Sequence, residues 1–161
     1  MGHPDVFLYP IVDPRGLVTP FYDGWSLDFW IITQDSQDLI SSKIAKARQE
    51  MHFRPNIEVF TNFEQAGQSL SQYLSLDVVE GQPEAVIGIR AKSFEGGRVA
   101  VSIRPYNPEG IQFIDRIDFE GQENAFIVNK KERVILGEDP DRVVMSSRSE
   151  EHTSELQSPS A

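Results

Sequence analysis

Apolar and polar residues alternate with a period of two through most of this chain, which is the pattern of strands that bury one face. Val99, Val101 and Ile103 alternate with Arg98, Ala100, Ser102 and Arg104. Leu70, Leu74, Leu76 and Val78 line one face opposite Ser69, Ser71, Tyr73, Ser75 and Asp77. Ile57, Val59 and Phe63 form a third set, and Ile87 and Ile89 mark a fourth within Ala85 to Lys92. Ile111, Phe113, Ile117 and Phe119 share one side of a fifth, interrupted by Asp115. Ser26 to Ile32 reads as a strand with imperfect alternation, and short strands are predicted over 125–129, 133–136 and 142–145.

Turn residues separate these runs. Asp13-Pro14-Arg15-Gly16 sets Asp first, Pro second and Gly fourth, as a type I turn favours. Gln65-Ala66-Gly67-Gln68, Glu80-Gly81-Gln82-Pro83, Glu95-Gly96-Gly97, Glu120 to Asn124 and Asn129-Lys130-Lys131 mark further breaks. The stiffest corner is Arg104-Pro105-Tyr106-Asn107-Pro108-Glu109-Gly110. Pro105 has no N–H for a ladder, so the strand should end there, and Asn107, Pro108 and Gly110 suit a shaped loop. Residues 38–51 are the one helix-compatible stretch, with Leu39, Ile40, Ile44, Ala45, Ala47 and Met51 as a stripe and Ser41 or Ser42 as cap. An extended linker fits that composition nearly as well. Strands recurring about every ten residues, with no room for helical crossovers, predict a mainly β chain: an antiparallel β-sandwich with at most one short helix.

At 161 residues the chain suffices for one domain with a real core. No apolar run reaches the roughly 18 residues that would span a bilayer, so no membrane partner is expected. Met1-Gly2-His3-Pro4-Asp5 lacks the basic and apolar regions of a signal peptide. A net charge of −10 disfavours nucleic acid, whose phosphates call for Lys and Arg. With no cysteine there is no disulfide framework, thiolate metal site or thiol nucleophile. These features fit a cytoplasmic protein, although exported bacterial proteins can share them.

The last stretch differs from everything before it. Arg148 to Ala161 is polar, charged or proline apart from Leu156 and Ala161, and reads as a disordered tail. Residues 148–158, RSEEHTSELQS, resemble the translation of a widely used short-read sequencing adapter. On that reading 1–147 is the N-terminal sandwich and 148–161 an artefactual tail to be excluded from fold reasoning. His152 then leaves any site argument.

RPYNPEG, preceded by Val-Ala-Val-Ser-Ile and followed by Ile-Gln-Phe-Ile, resembles the N-terminal β-sandwich of bacterial glycogen-debranching-type proteins. These are amylo-α-1,6-glucosidase-like members of the six-hairpin glycosidases. Val12 to Pro20, Gly24 to Trp30 and Pro140 to Ser146 are similar to the same group, so the resemblance spans roughly 8–146. It implies a super-sandwich-like domain packed on a C-terminal barrel of paired helices, with that barrel carrying the catalytic carboxylates. This chain would then hold the sandwich, lack the barrel and be inactive alone. Its partner would be the missing catalytic domain, with an oligo- or polysaccharide as a further candidate ligand. The alternative is a standalone β-sandwich module that binds glycan or protein.

The candidate contact residues divide into two sets. Trp25, Trp30, Tyr22 and Phe21 could stack on a pyranose, although large aromatics more commonly fill a core or a domain interface. Arg15, Arg104 and Tyr106 flank the proline corners, where they would bind a ligand or brace a partner domain. Asp23 with Asp28, or Asp115, Asp118 and Glu120, invite reading as a glycosidase acid pair, but a solvated face is the expectation. No catalytic residue is assigned. His3 and His52 lack neighbouring ligands, so no metal is expected, and no P-loop, Rossmann or Gly-x-Ser-x-Gly motif suggests a cofactor.

Overall fold

The computed structural model describes residues 8–21, 24–35, 37–44, 46–53, 56–107 and 114–146. The chain is mainly β, its sheets antiparallel and its architecture sandwich-like, with no α-helix among the described residues. It divides into two compact units, Met1–Ile114 and Asp115–Ala161.

The first unit holds two sheets. One contains β1 (Ile11–Val12), β2 (Val18–Thr19), β3 (Ser26–Ile32), β4 (Leu39–Ile40) and β9 (Arg98–Arg104); the other runs β5 (Arg48–Phe53), β6 (Ile57–Gln65), β7 (Gln68–Val79), β8 (Gln82–Ser93). β3 is the centre of the first sheet. Its start pairs with β2 at Val18↔Leu27 and its end with β4 at Ile31↔Leu39, while β9 runs along its whole other side from Ser26↔Arg104 to Ile32↔Arg98. Alternation turns Leu27, Phe29 and Ile31 inward with Val18 and Leu39, and all five are buried. Val59, Phe63, Leu70 and Leu74 supply the facing layer from β6 and β7.

Turn chemistry sets the hairpins. Ala66 and Gly67 join β6 to β7, and Glu80 and Gly81 join β7 to β8, all four at positive φ. Two-residue turns of this hand match the twist of paired strands. Pro83 lies within β8, the sheet edge, where a missing N–H costs no ladder bond. The Asp13 turn forms as its residues predict: Gly16 N–H donates to Asp13 O (3.0 Å), while Asp13 Oδ1 accepts from Arg15 and Leu17 N–H (2.8 Å each). Gly16 sits at φ +76, where a Cβ would lie 2.5 Å from Phe63 Cζ, so this turn rests directly on the second sheet.

Two expectations are corrected. Residues 38–51 do not form a helix: β4, a 3₁₀ turn over Ser41–Lys43 and strand β5 occupy them. Leu39 buries itself in the sheet against Ile31, and Arg48 to Phe53 pair residue for residue with Asn62 to Ile57. A lone helix of that length is marginal in water, and the ladder offers every backbone group of β5 facing β6 a partner. Residues 142–146 form no strand. The central corner is partly visible: β9 ends at Arg104, immediately before Pro105, while Pro108 to Phe113 lie outside the described residues.

The second unit is a meander of β10 (Ile117–Glu120), β11 (Ala125–Val128) and β12 (Glu132–Ile135). Ala125 and Val128 are its buried positions, and Phe119 and Phe126 pack across the first hairpin with ring centroids 4.8 Å apart. Asn124, Asn129 and Lys130 take positive φ at its turns.

Candidate functional site

Strand alternation puts Ser26, Asp28 and Trp30 on the outer face of β3, where an acid would ordinarily meet water. The solvated-face expectation fails for Asp28, which is 0% exposed. The reason lies in the chain after β4: its 3₁₀ turn folds back over β3 and sets two hydroxyls above the carboxylate. Ser41 Oγ donates to Asp28 Oδ1 (2.5 Å), as does Phe29 N–H (3.0 Å). Ser42 Oγ donates to Oδ2 (2.6 Å), and Arg104 Nη1 completes that oxygen at 3.1 Å. An ionised carboxylate offers about four acceptor positions, and all four are filled.

Arg104 reaches Asp28 because β9 lies antiparallel to β3, with Arg104 opposite Ser26. Its Nη1 also donates to Ser42 Oγ (3.4 Å), and its Nε (3.1 Å) and Nη2 donate to Tyr106 Oη. The guanidinium carbon lies 4.5 Å from the Tyr106 ring centroid. Ser26 Oγ donates to Tyr106 O (2.5 Å), tying the corner back to β3. Arg15 joins from the Asp13 turn, its Nη1 donating to Ser42 O (3.3 Å). Arg15 and the Arg104–Tyr106 pair, far apart in sequence, therefore meet around Ser42: Arg104 reaches Asp28 and Ser42, Tyr106 holds Arg104, and Arg15 holds the Ser42 carbonyl.

The arrangement is a brace. Burying a carboxylate is expensive unless it is paired and hydrogen-bonded, and here every oxygen is. The same saturation leaves Asp28 no acceptor position for a substrate proton. Ser41 and Ser42 are the members that sequence reasoning missed, having been read as a helix cap. The available signal was an acid embedded in SLDFWII, which needs donors from elsewhere if the strand is buried on both faces.

The aromatic candidates do not assemble. Trp25 is buried, with Phe21 edge-on at 6.3 Å between centroids. Trp30 is half-buried on the outer face between Ile40 and Ala100, and its Nε1 finds no acceptor among the described residues. Tyr22 and Asp23 lie outside the described residues. In the second unit, Asp118 accepts from Arg116 Nε at 2.8 Å and Glu120 lies 3.7 Å from Arg133 Nη2. These are exposed ion pairs, as a solvated face requires; the hydrogen bond to Asp118, then its charge, raises the Arg116 pKa. His52 packs on Phe60 with centroids 4.7 Å apart, and no cluster of three His, Cys, Asp or Glu placed to hold a metal occurs among the described residues. No helix there is long and apolar enough to cross a membrane.

Two hollows open elsewhere on the first unit. One of about 530 Å³ surrounds the β6–β7 turn, between Glu64, Gln68, Ser69, Lys92 and Phe94. Phe94 is 91% exposed, yet a Cβ on Gly67 would lie 2.9 Å from its Cδ2, so the ring rests on the turn. The other, about 240 Å³, lies between β1 and β5. No family model, curated protein or solved structure matches this chain.

Proposed function

We propose that this chain is the non-catalytic N-terminal β-sandwich of a carbohydrate-active enzyme of glycogen-debranching type, supporting and walling the cleft of a helical-barrel catalytic domain. An open seam carries the reading. Val99 and Val101 of β9 point to the inner side, level with buried Ile31 and Phe29, yet are 50% and 42% exposed. On β8, which precedes β9 in the chain and is an edge of the other sheet, Ile87 and Ile89 are only half-buried. Inner-face apolar residues that meet solvent suit a domain that packs on a larger neighbour. The Asp28–Arg104–Tyr106 brace stiffens the end of that same edge. Glycoside hydrolysis needs two carboxyls about 5–10 Å apart across a sugar, and in this reading both belong to the neighbour.

Reading the source DNA past codon 147 tests this directly. A continuing frame of amphipathic helices with embedded acids, whose product hydrolyses glycosidic bonds when expressed whole, is the expected result. A stop codon within a few residues removes the catalytic partner and sinks the proposal.

Phe94 favours a second reading, a standalone binding module. A phenyl ring held on Gly67 beside the Glu64, Ser69 and Lys92 side chains is a pre-placed stacking surface with polar groups around it. Retardation of the chain in a glycan-containing gel, lost in Phe94→Ala, would support this reading; equal mobility with and without glycan would end it.

A further inference from the structure

β5 is an unusual edge strand. It pairs with β6 on one side and with no other strand among the described residues, and all six of its residues are exposed. Sheet edges are ordinarily blunted by proline, lysine, a bulge or an inward-pointing charge, because unpaired N–H and C=O groups template another strand. β5 has charges only on its outer face, Arg48 and Glu50, and otherwise lacks these devices: its register to β6 is unbroken, and its inner face carries Gln49, Met51 and Phe53. Met51 and Phe53 are 57% and 66% exposed, although Met51's partner Val59 is core. β1 ends after two residues and leaves them uncovered, and Pro10, Ile11, Val12 and Ile57 complete the apolar hollow beside them.

We propose that β5 is a self-association edge, completed by β5 of a second copy of this chain in antiparallel pairing about a two-fold axis at Met51. The choice of a second copy rests on the charge pattern of the strand. A two-fold axis normal to the sheet keeps both inner faces on one side, so the axis must pass through a residue position. Centred on Glu50, it sets two carboxylates face to face. Centred on Gln49, it pairs only residues 48–50 of the strand. Centred on Met51, it pairs 49–53 throughout. Glu50 then faces His52 of the second copy, twice by symmetry, and cross-strand pairs of such complementary groups favour one register over its neighbours. His52 is held in place by its packing on Phe60, and Glu50 is flanked on its own strand by Arg48 at 2.7 Å. On the inner face the two Met51 side chains meet beside the hollow. This edge lies opposite the β8–β9 seam, so the proposal is independent of the function proposed above.

The chain has no cysteine, which makes a cysteine scan of the full chain unambiguous. Directly opposed residues of an antiparallel pair have Cα atoms about 4.5–5.5 Å apart, within the range of about 4.4–6.8 Å that a disulfide spans. Met51→Cys is therefore expected to oxidise to a covalent dimer. Gln49→Cys and Phe53→Cys, whose like positions stand more than about 10 Å apart in this register, should stay uncrosslinked. In sedimentation of the cysteine-free chain, Glu50→Lys should weaken the dimer at least about tenfold, and adding His52→Glu should restore it. Circular dichroism of each variant checks that the fold persists. A chain that stays monomeric at every concentration, equal crosslinking at 49, 51 and 53, or a dimer indifferent to Glu50→Lys overturns the proposal.

Discussion

Asp28 shows how one side chain ties two distant segments to its own strand. Its oxygens take donors from the 3₁₀ turn, from β9 and from its own strand, so the carboxylate is what keeps the 41–42 turn and the 104–106 corner against β3. Removing one partner of a buried ion pair leaves the other unpaired, at a cost of about 3–5 kcal/mol. Because the Arg104 side chain retains 24% exposure, water relieves part of its loss. Asp28→Ala is expected to lower the free energy of unfolding by about 3 kcal/mol in urea titrations, and Ser42→Ala by about 1–2 kcal/mol. A change below experimental error for Asp28→Ala would show that the brace contributes nothing net. Gly16 makes a second residue-level case, since it is constrained both by φ +76 and by Phe63. Gly16→Ala should cost about 2 kcal/mol, more than either constraint alone; an unchanged midpoint would mean that the Asp13 turn can lift from the second sheet without loss.

At the scale of elements, the hairpins follow from local chemistry and can be improved by it. Glu80 holds φ +52 in the β7–β8 turn, a region that an ordinary side chain enters at a cost and asparagine enters more easily. Glu80→Asn should raise stability by about 0.5–1 kcal/mol, read as a higher urea midpoint at an unchanged slope; a lower midpoint would show that the Glu80 side chain does more than tolerate the turn. Period-two alternation made β6, β7, β8 and β9 legible in advance, as did the Ala66-Gly67 and Glu80-Gly81 breaks. What local pattern could not supply was partnership. Nothing in VAVSI says that it runs beside SLDFWII, which lies some seventy residues earlier. Residues 38–51 differ from their pattern for the same reason: their stripe is helical by spacing, and only Ile31 and the β6 ladder make them extended. Arg15, Arg104 and Tyr106 stood out through their proline corners, whereas Ser41 and Ser42 meet Asp28 only through the return of the chain.

At the scale of the molecule, the informative residues are those that obey the strand pattern and still meet solvent. Val99 and Val101 alternate correctly and face the inner side, so a closed sandwich would have buried them; their exposure belongs to the edge of the first sheet and not to an error of register. An apolar seam of this kind should bind a hydrophobic dye while the chain is fully folded. Replacing both residues by lysine should abolish most of that binding, because the dye requires contiguous apolar surface. Stability should move by no more than about 0.5 kcal/mol per site, since half-exposed side chains have little burial to lose. These two readouts separate the alternatives. Lost dye binding with stability kept is the result for an uncovered docking edge. A loss of several kcal/mol would place the valines in a closed core, and unchanged dye binding would move the apolar surface elsewhere; either outcome removes the observation on which the docking role rests.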